Sequence, residues 1–163
     1  MRKGLSEKEI EVISYLELKK KYFFTLNEIS RFFKNKNEQG VYIFRLRNKS
    51  RIIKLNKNKY FLVPIKAIGS KWSEHPFIII DEMMNSKNYC IVGKAAAYYW
   101  KLIEQIPFSF EVWNTKKHGK IKIFNVEIGF KKHKISELPK SIERKIENHK
   151  FLIATKEESK KWI

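Results

Sequence analysis

Residues 22–64 read YFFTLNEISRFFKNKNEQGVYIFRLRNKSRIIKLNKNKYFLVP, and the fold turns on how this stretch is parsed. A short apolar run, Tyr22, Phe23 and Phe24, leads into Thr25-Leu26-Asn27-Glu28. That is the Ser/Thr-x-x-Glu pattern of a capping box, so a helix is expected to start there. Ile29, Phe32 and Phe33 follow at helical spacing. The polar run from Lys34 to Asn37 breaks the pattern, and a second helix is expected over about residues 38–49. Two β-prone runs, residues 52–55 and 60–63, flank Asn56-Lys57-Asn58-Lys59, which predicts a hairpin with a basic tip.

Upstream, Ser6-Glu7-Lys8-Glu9 is another capping box. Ile10, Ile13, Leu16 and Leu18 suggest an amphipathic helix that ends in Lys19-Lys20-Lys21, where positive charge complements the helix dipole. This helix would pack behind the other two. Helix, turn, helix, basic hairpin is the order of a winged helix-turn-helix, a DNA-reading module, expected here over residues 1–66.

The second helix of the pair is the candidate recognition helix, and it has two possible registers. If Ile43 and Leu46 face the core, the far side carries Asn37, Val41, Arg45 and Asn48, with Tyr42 and Arg47 on the flanks. If Val41 and Phe44 face the core, the exposed side rotates by about half a turn. The first is preferred, because Leu46 then sits one turn before Ser50-Arg51-Ile52-Ile53 and closes the core ahead of the hairpin. Gly40 disfavours the helix interior and could mark a later start. Arg45, Arg47, Lys49, Arg51, Lys54, Lys57 and Lys59 form the densest basic stretch. Arginine suits base reading, since its planar fork meets guanine O6 and N7 together. Lys57, Asn58 and Lys59 at the hairpin tip suit phosphate or minor-groove contact. The expected DNA-binding set is therefore Asn37, Tyr42, Arg45, Arg47, Asn48, Lys49, Arg51, Lys54, Lys57, Asn58 and Lys59.

Residues 64–73, with Pro64 and Gly69-Ser70, read as a linker. A second domain follows over residues 74–163. Its expected elements begin with a helix opening at Pro76, with a buried strand over residues 77–80 as the rival. A strand over 88–92 and a helix over 94–104 come next, then strands over 108–114, 120–124 and 126–130. A polar helix over 140–148, a strand over 151–154 and a last helix capped by Thr155 complete the set. The fold class is α+β, an N-terminal winged helix-turn-helix followed by a small mixed α/β domain.

Charge favours a polyanionic partner: 35 Lys and Arg stand against 17 Asp and Glu, a formal net charge of +18. A codon bias toward A and T would also enrich Lys, Ile and Asn. It would not explain why no acidic residue occurs between Glu38 and Glu74. The single cysteine, Cys90, lies in an apolar run, which excludes a disulfide framework and argues against a Cys-based zinc site. The N-terminus lacks an apolar signal core and no apolar run approaches the ~20 residues of a membrane helix, so a cytoplasmic protein with no membrane partner is expected. His75, His118, His133 and His149 are scattered without ligand spacing, and no Gly-rich phosphate loop occurs, so no metal or cofactor is expected. Two fragments suggest an alternative, a small metal-dependent nuclease or nucleotidyltransferase with a basic substrate-binding surface. Gly69-Ser70 followed by Asp81-Glu82 is like a nucleotidyltransferase pattern, but adjacent carboxylates point to opposite faces of a strand. Glu143-Arg144-Lys145 matches a nuclease Glu-x-Lys, but in a helix-like segment without an upstream Asp. No catalytic residue is assigned, and a non-enzyme is expected.

The basic hairpin RIIKLNKNKYFLVP is followed by Trp72 with HPF, by NYCIVGKAAAYYWKLIEQIP and by FEVWNT. This order resembles the AbiEi family of antitoxins and transcriptional regulators from bacterial and archaeal toxin–antitoxin operons. The family's Tyr…Ile-x-Gly-x-x-Ala helix and Gln-Ile-Pro turn map to Tyr89, Ile91, Gly93, Ala96 and Gln105-Ile106-Pro107, and FLIATKEES resembles its entry to the C-terminal helices. The resemblance implies a sequence-specific DNA-binding regulator that binds a double-stranded operator and represses its own promoter. It also implies an antitoxin role for the second domain and a cognate nucleotidyltransferase-like toxin. Longer members continue with further helices where this sequence stops.

Overall fold

The structure is a computed structural model that describes residues 4–64, 74–123 and 125–163. The chain divides into two compact units, residues 1–72 and 73–163. The expected linker lies outside the described residues except for Pro64, as do Trp72 and the last residue of the predicted 120–124 strand, Phe124.

In the first unit, the Ser6 capping box forms as predicted and opens α1 (Glu7–Leu18). The Glu9 carboxylate accepts the Ser6 N–H at 2.6 Å, and the Glu9 N–H donates to Ser6 Oγ at 3.4 Å. The buried face of α1 is Glu9, Val12, Ile13 and Leu16, an i, i+3, i+4, i+7 set. Ile10 and Leu18, expected on that face, are 50 % and 84 % exposed. Each lies about 100° or more of helix rotation from the centre of the buried stripe, and Val12 takes the place given to Ile10.

β1 (Phe23–Thr25) runs straight into a 3-10 turn over Leu26–Phe32. Here the Glu28 carboxylate accepts the Thr25 N–H at 2.8 Å. The helix start is where the sequence places it, but the segment is 3-10 rather than α. Thr25 still belongs to β1, and Asn35 already caps the next helix, so little chain is left between them; short pieces favour the tighter form. That cap moves the start of α2 (Lys36–Asn48) two residues earlier than expected, because Asn35 Oδ1 accepts the Glu38 N–H at 2.9 Å. Gly40 is inside the helix. β2 (Ile52–Lys54) and β3 (Lys59–Leu62) form the predicted hairpin, and β3 is central in a sheet of order β1-β3-β2. Leu16, Phe24, Ile29, Ile43, Leu46, Ile52, Tyr60 and Leu62 make one core. The two registers of α2 are thereby resolved: Ile43 and Leu46 are 5 % and 1 % exposed, whereas Val41 and Phe44 are 48 % and 63 % exposed.

The second unit carries a mixed six-stranded sheet. Its elements are α3 (Pro76–Met84), β4 (Tyr89–Val92), α4 (Gly93–Tyr99), β5 (Ser109–Asn114), β6 (Gly119–Ile123), β7 (Val126–Lys132), β8 (Ser141–Ile146), β9 (His149–Ala154) and α5 (Lys156–Ser159). The strand order is β6-β7-β5-β4-β9-β8, with β4/β9 and β5/β7 parallel and the other pairs antiparallel. Pro76 opens α3 as expected, and the rival strand does not form. Asp81, buried in α3, accepts the Tyr89 hydroxyl at 2.6 Å and the Ser86 hydroxyl at 2.7 Å, and lies 3.0 Å from His149 Nε2. The Tyr89 oxygen in turn accepts the Leu152 N–H at 2.9 Å, so one polar chain pins α3 to β4 and β9.

Two predictions for this unit are corrected. The polar helix expected over 140–148 is strand β8. Glu147 and Asn148 both have positive φ, at 50° and 65°, the backbone of a two-residue hairpin turn, and β8 pairs with β9 along its length. Pairing outweighed the helix propensity of Glu, Arg and Lys. The helix expected over 94–104 ends at Tyr99. There Lys101 takes φ 58°, the Leu102 N–H reaches Ala97 O at 2.9 Å and the Lys101 N–H reaches Tyr98 O at 2.9 Å, a Schellman stop. The indole N–H of Trp100 donates to Ala154 O at 2.8 Å and holds the stop against β9. The same pair of bonds ends α1 at Lys20, α2 at Ser50 and α3 at Asn85, all three with φ near that value.

The register of α2 is open to direct test. Leu46→Ala should cost about 2–5 kcal/mol by leaving a core cavity, while Phe44→Ala should change stability by less than about 0.5 kcal/mol. Thermal melts of both variants check this, and a parent-like Leu46→Ala would refute the packing.

Candidate nucleic-acid interface

The register that buries Ile43 and Leu46 turns Asn37, Val41, Phe44, Arg45 and Asn48 outward, all exposed. Arg47 is exposed on one flank beside Gly40. Tyr42, on the other flank, is half-buried, with its ring 5.6 Å from that of Phe33 and the Lys8 ammonium and Arg45 guanidinium over it at 5.5 and 5.4 Å. It steadies Arg45 from below rather than presenting a free face.

Two residues of the expected DNA-binding set are engaged within the fold. The Lys49 ammonium is turned inward, donating to both Glu9 carboxylate oxygens, at 2.9 and 2.7 Å, and to Gly4 O at 2.8 Å. A buried carboxylate claims this cation, because unpaired burial of that charge is costly. Burial raises the Glu9 pKa, but Lys49 and the Ser6 cap outweigh it and hold the carboxyl below its ordinary value. Arg51 is half-buried; its N–H closes α2 on Leu46 O, its carbonyl accepts the Val63 N–H, and its Nε is enclosed without a hydrogen-bond partner among the described residues. It belongs to the junction of α2 with the sheet.

At the hairpin tip Lys54, Lys57 and Asn58 are exposed and Lys59 is half-exposed. Asn56 Oδ1 accepts the N–H groups of Asn58 and Lys59, both at 3.0 Å, and so shapes the tip. The acidic groups nearest the interface are neutralised. Glu38 pairs with Lys8 at 2.8 Å and accepts the Lys34 N–H at 2.6 Å, and Glu28 pairs with Lys21 at 2.6 Å. Lys34, Lys36, Arg45, Arg47, Lys54 and Lys57 are exposed and carry no ion pair among the described residues. Lys36 and Phe44 were missed by the sequence reading; Phe44 was legible in the preferred register, about 100° from Ile43.

Among the described residues, the Glu143 and Asp81 groups that suggested catalysis lie apart. Strand β8 does place Glu143 and Lys145 on one face, but Glu143 pairs with Lys150 at 3.0 Å. Asp81, the chain's single aspartate, bonds to Tyr89, and His149 lies beside it. Registers across β8, β9 and β4 put Tyr89 and His149 on the sheet face opposite to Glu143 and Lys145. Cys90 is buried, and burial pushes its thiol up to about 12, so it stays protonated at neutral pH. Gly69-Ser70 lies outside the described residues. Among the described residues no group of three or more His, Cys, Asp or Glu could hold a metal ion, and no helix is long and apolar enough to cross a membrane. No protein-family model matches the chain, and no curated protein sequence matches it.

The Glu9–Lys49 pair should make the first unit acid-sensitive. The folded carboxyl titrates below its ordinary value of 4.5, so its contribution is complete above that value and is lost as pH falls through the lower folded one. Glu9→Gln should flatten this part of a stability–pH curve. Lys49→Ala should cost on the order of 3 kcal/mol at neutral pH, by leaving Glu9 buried and unpaired. Denaturant melts between pH 3 and pH 7 decide it, and an unchanged Lys49→Ala variant would contradict the assignment.

Proposed function

We propose that the first unit is a winged helix-turn-helix that binds duplex DNA through α2 and the β2–β3 hairpin, and that the chain is a DNA-binding transcriptional regulator. One observation carries this reading: the outward side of α2 and the hairpin present Lys36, Arg45, Arg47, Lys54 and Lys57, which pair with no carboxylate among the described residues. A helix of this width fits the major groove, and cations flanking it meet the phosphate rows. Arg45, braced over Tyr42, is the candidate for reading a guanine. Lys54 and Lys57 supply phosphate contacts, which add affinity without sequence information.

The narrower reading is that this regulator is the antitoxin of an AbiE-type operon that represses its own promoter. It rests on the motif order described above. In the structure Tyr89 and Ile91 lie on β4, Gly93 turns into α4 with φ 70°, Ala96 is buried against the sheet, and Gln105-Ile106-Pro107 precede β5. A cognate nucleotidyltransferase-like toxin would then be the functional partner.

DNA titrations at several salt concentrations test the proposal. With about six phosphates neutralised, log affinity should fall with log salt at a slope near −5. Lys54→Ala with Lys57→Ala should weaken binding to all duplexes alike and make the slope shallower by about 2. Arg45→Ala should lower preference for a selected site by about 1–3 kcal/mol while melting like the parent. A flat salt response, or no binding at low salt, refutes the reading.

A further inference from the structure

We propose that Val41 and Phe44 determine DNA sequence preference by packing against the C5-methyl groups of thymines in the major groove. The inference rests on the DNA-binding reading of the first unit and names the base that its recognition helix takes. Val41 and Phe44 stand three residues apart on the outward side of α2, 48 % and 63 % exposed, between Asn37 and Arg45. Single exposed apolar side chains are ordinary on a protein surface. Here, however, the pair lies beside Gly40, where an added Cβ would meet nothing within 4 Å. Glycine is disfavoured inside a helix, and no packing among the described residues requires it at this point. Its effect is to open a shallow depression lined by Lys36, Asn37, Gly40, Val41, Phe44 and Arg45. An approaching surface can therefore come close to the helix backbone on the flank beside Val41 and Phe44.

Charge identifies the occupant. The face is apolar at its middle and cationic at its rim, with Lys36, Arg45 and Arg47, and the single carboxylate of α2, Glu38, is engaged by Lys8 and the Lys34 N–H. The complement is a surface apolar at its middle and anionic at its rim. The floor of a DNA major groove between its two phosphate rows has that form wherever thymine methyls project, and thymine is the one base that offers a methyl group there. A second copy of the same face would set Lys36 and Arg45 against their own like charges, which argues against self-association through this surface.

The test uses the full chain and a duplex selected by the wild-type protein from a random pool. Each thymine is replaced in turn by deoxyuridine, which removes the methyl and leaves the hydrogen-bonding groups. Wild-type affinity should fall by about fourfold at each contacted methyl, the effect of exposing one methyl-sized apolar group. Phe44→Ala and Val41→Ala should each lose that discrimination at one position and keep it at the other, while melting like the parent. Indifference of the wild-type protein to every replacement would overturn the proposal and leave DNA binding intact, as would variants that still discriminate thymine. Wild-type self-association in analytical ultracentrifugation that Phe44→Ala abolishes would also overturn it, by assigning the face to a second copy. No binding to any duplex at low salt would remove the DNA-binding reading together with this one.

Discussion

The buried carboxylate of Glu9 is the constraint around which the first unit is arranged. It is fully enclosed, and it does two tasks that lie far apart in sequence. It caps the start of α1 through the Ser6 N–H, and it holds the ammonium of Lys49 at the end of α2. A carboxylate can be enclosed only if its charge and lone pairs are met, since an unpaired buried ion costs several kcal/mol. Both ends of the arrangement must therefore be in place together. With the end of α2 held this way and its Ile43 and Leu46 in the core, Phe44 and Arg45 point outward.

The same principle sorts the lysines. A run as basic as residues 45–59 looks uniform, yet its members differ in what they can offer a ligand. Lys49 neutralises a charge within the fold, and Arg51 is tucked into the junction of α2 with the sheet. Arg45, Arg47, Lys54 and Lys57 remain exposed. Glu28 and Glu38 are matched by Lys21 and Lys8, so these two carboxylates do not pair with Arg45, Arg47, Lys54 or Lys57. Exposed pairs of this kind contribute little stability, but they shape the field a polyanion would meet.

In the second unit a polar chain centred on Asp81 sets the geometry. Asp81 on α3 binds the hydroxyl of Tyr89 on β4, and that oxygen takes the Leu152 N–H on β9. The chain spans two parallel neighbours at the middle of the sheet, where Ile91 and Ile153 pair. Aromatic packing extends the contact, with Phe77 of α3 5.0 Å from Phe151 of β9. A buried network of this sort is stabilising only when every member is satisfied, which leaves Asp81 committed to structure.

The sequence by itself determined the features that depend on contacts within about four residues. Ser6 with Glu9, Thr25 with Glu28, Thr155 with the N–H of Glu158, and Pro76 at a first helical position each act on the next turn of chain, so their spacing is their geometry. The β2–β3 hairpin was legible for the same reason. The end of α4 was not, because its left-handed stop residue is Lys101 rather than glycine, and such a conformation is held by the bonds around it. Tertiary structure alone decided that residues 141–146 pair with β9 instead of coiling, since a charged edge strand carries strong helix formers and gains its stability from a neighbour. It alone drew Lys49 to a carboxylate 40 residues away in sequence, and so turned it inward, away from the exposed basic residues of α2. Local signals state where an element begins; which side chains it spends inside and which it presents depends on charges and apolar surfaces that meet only when the chain is folded.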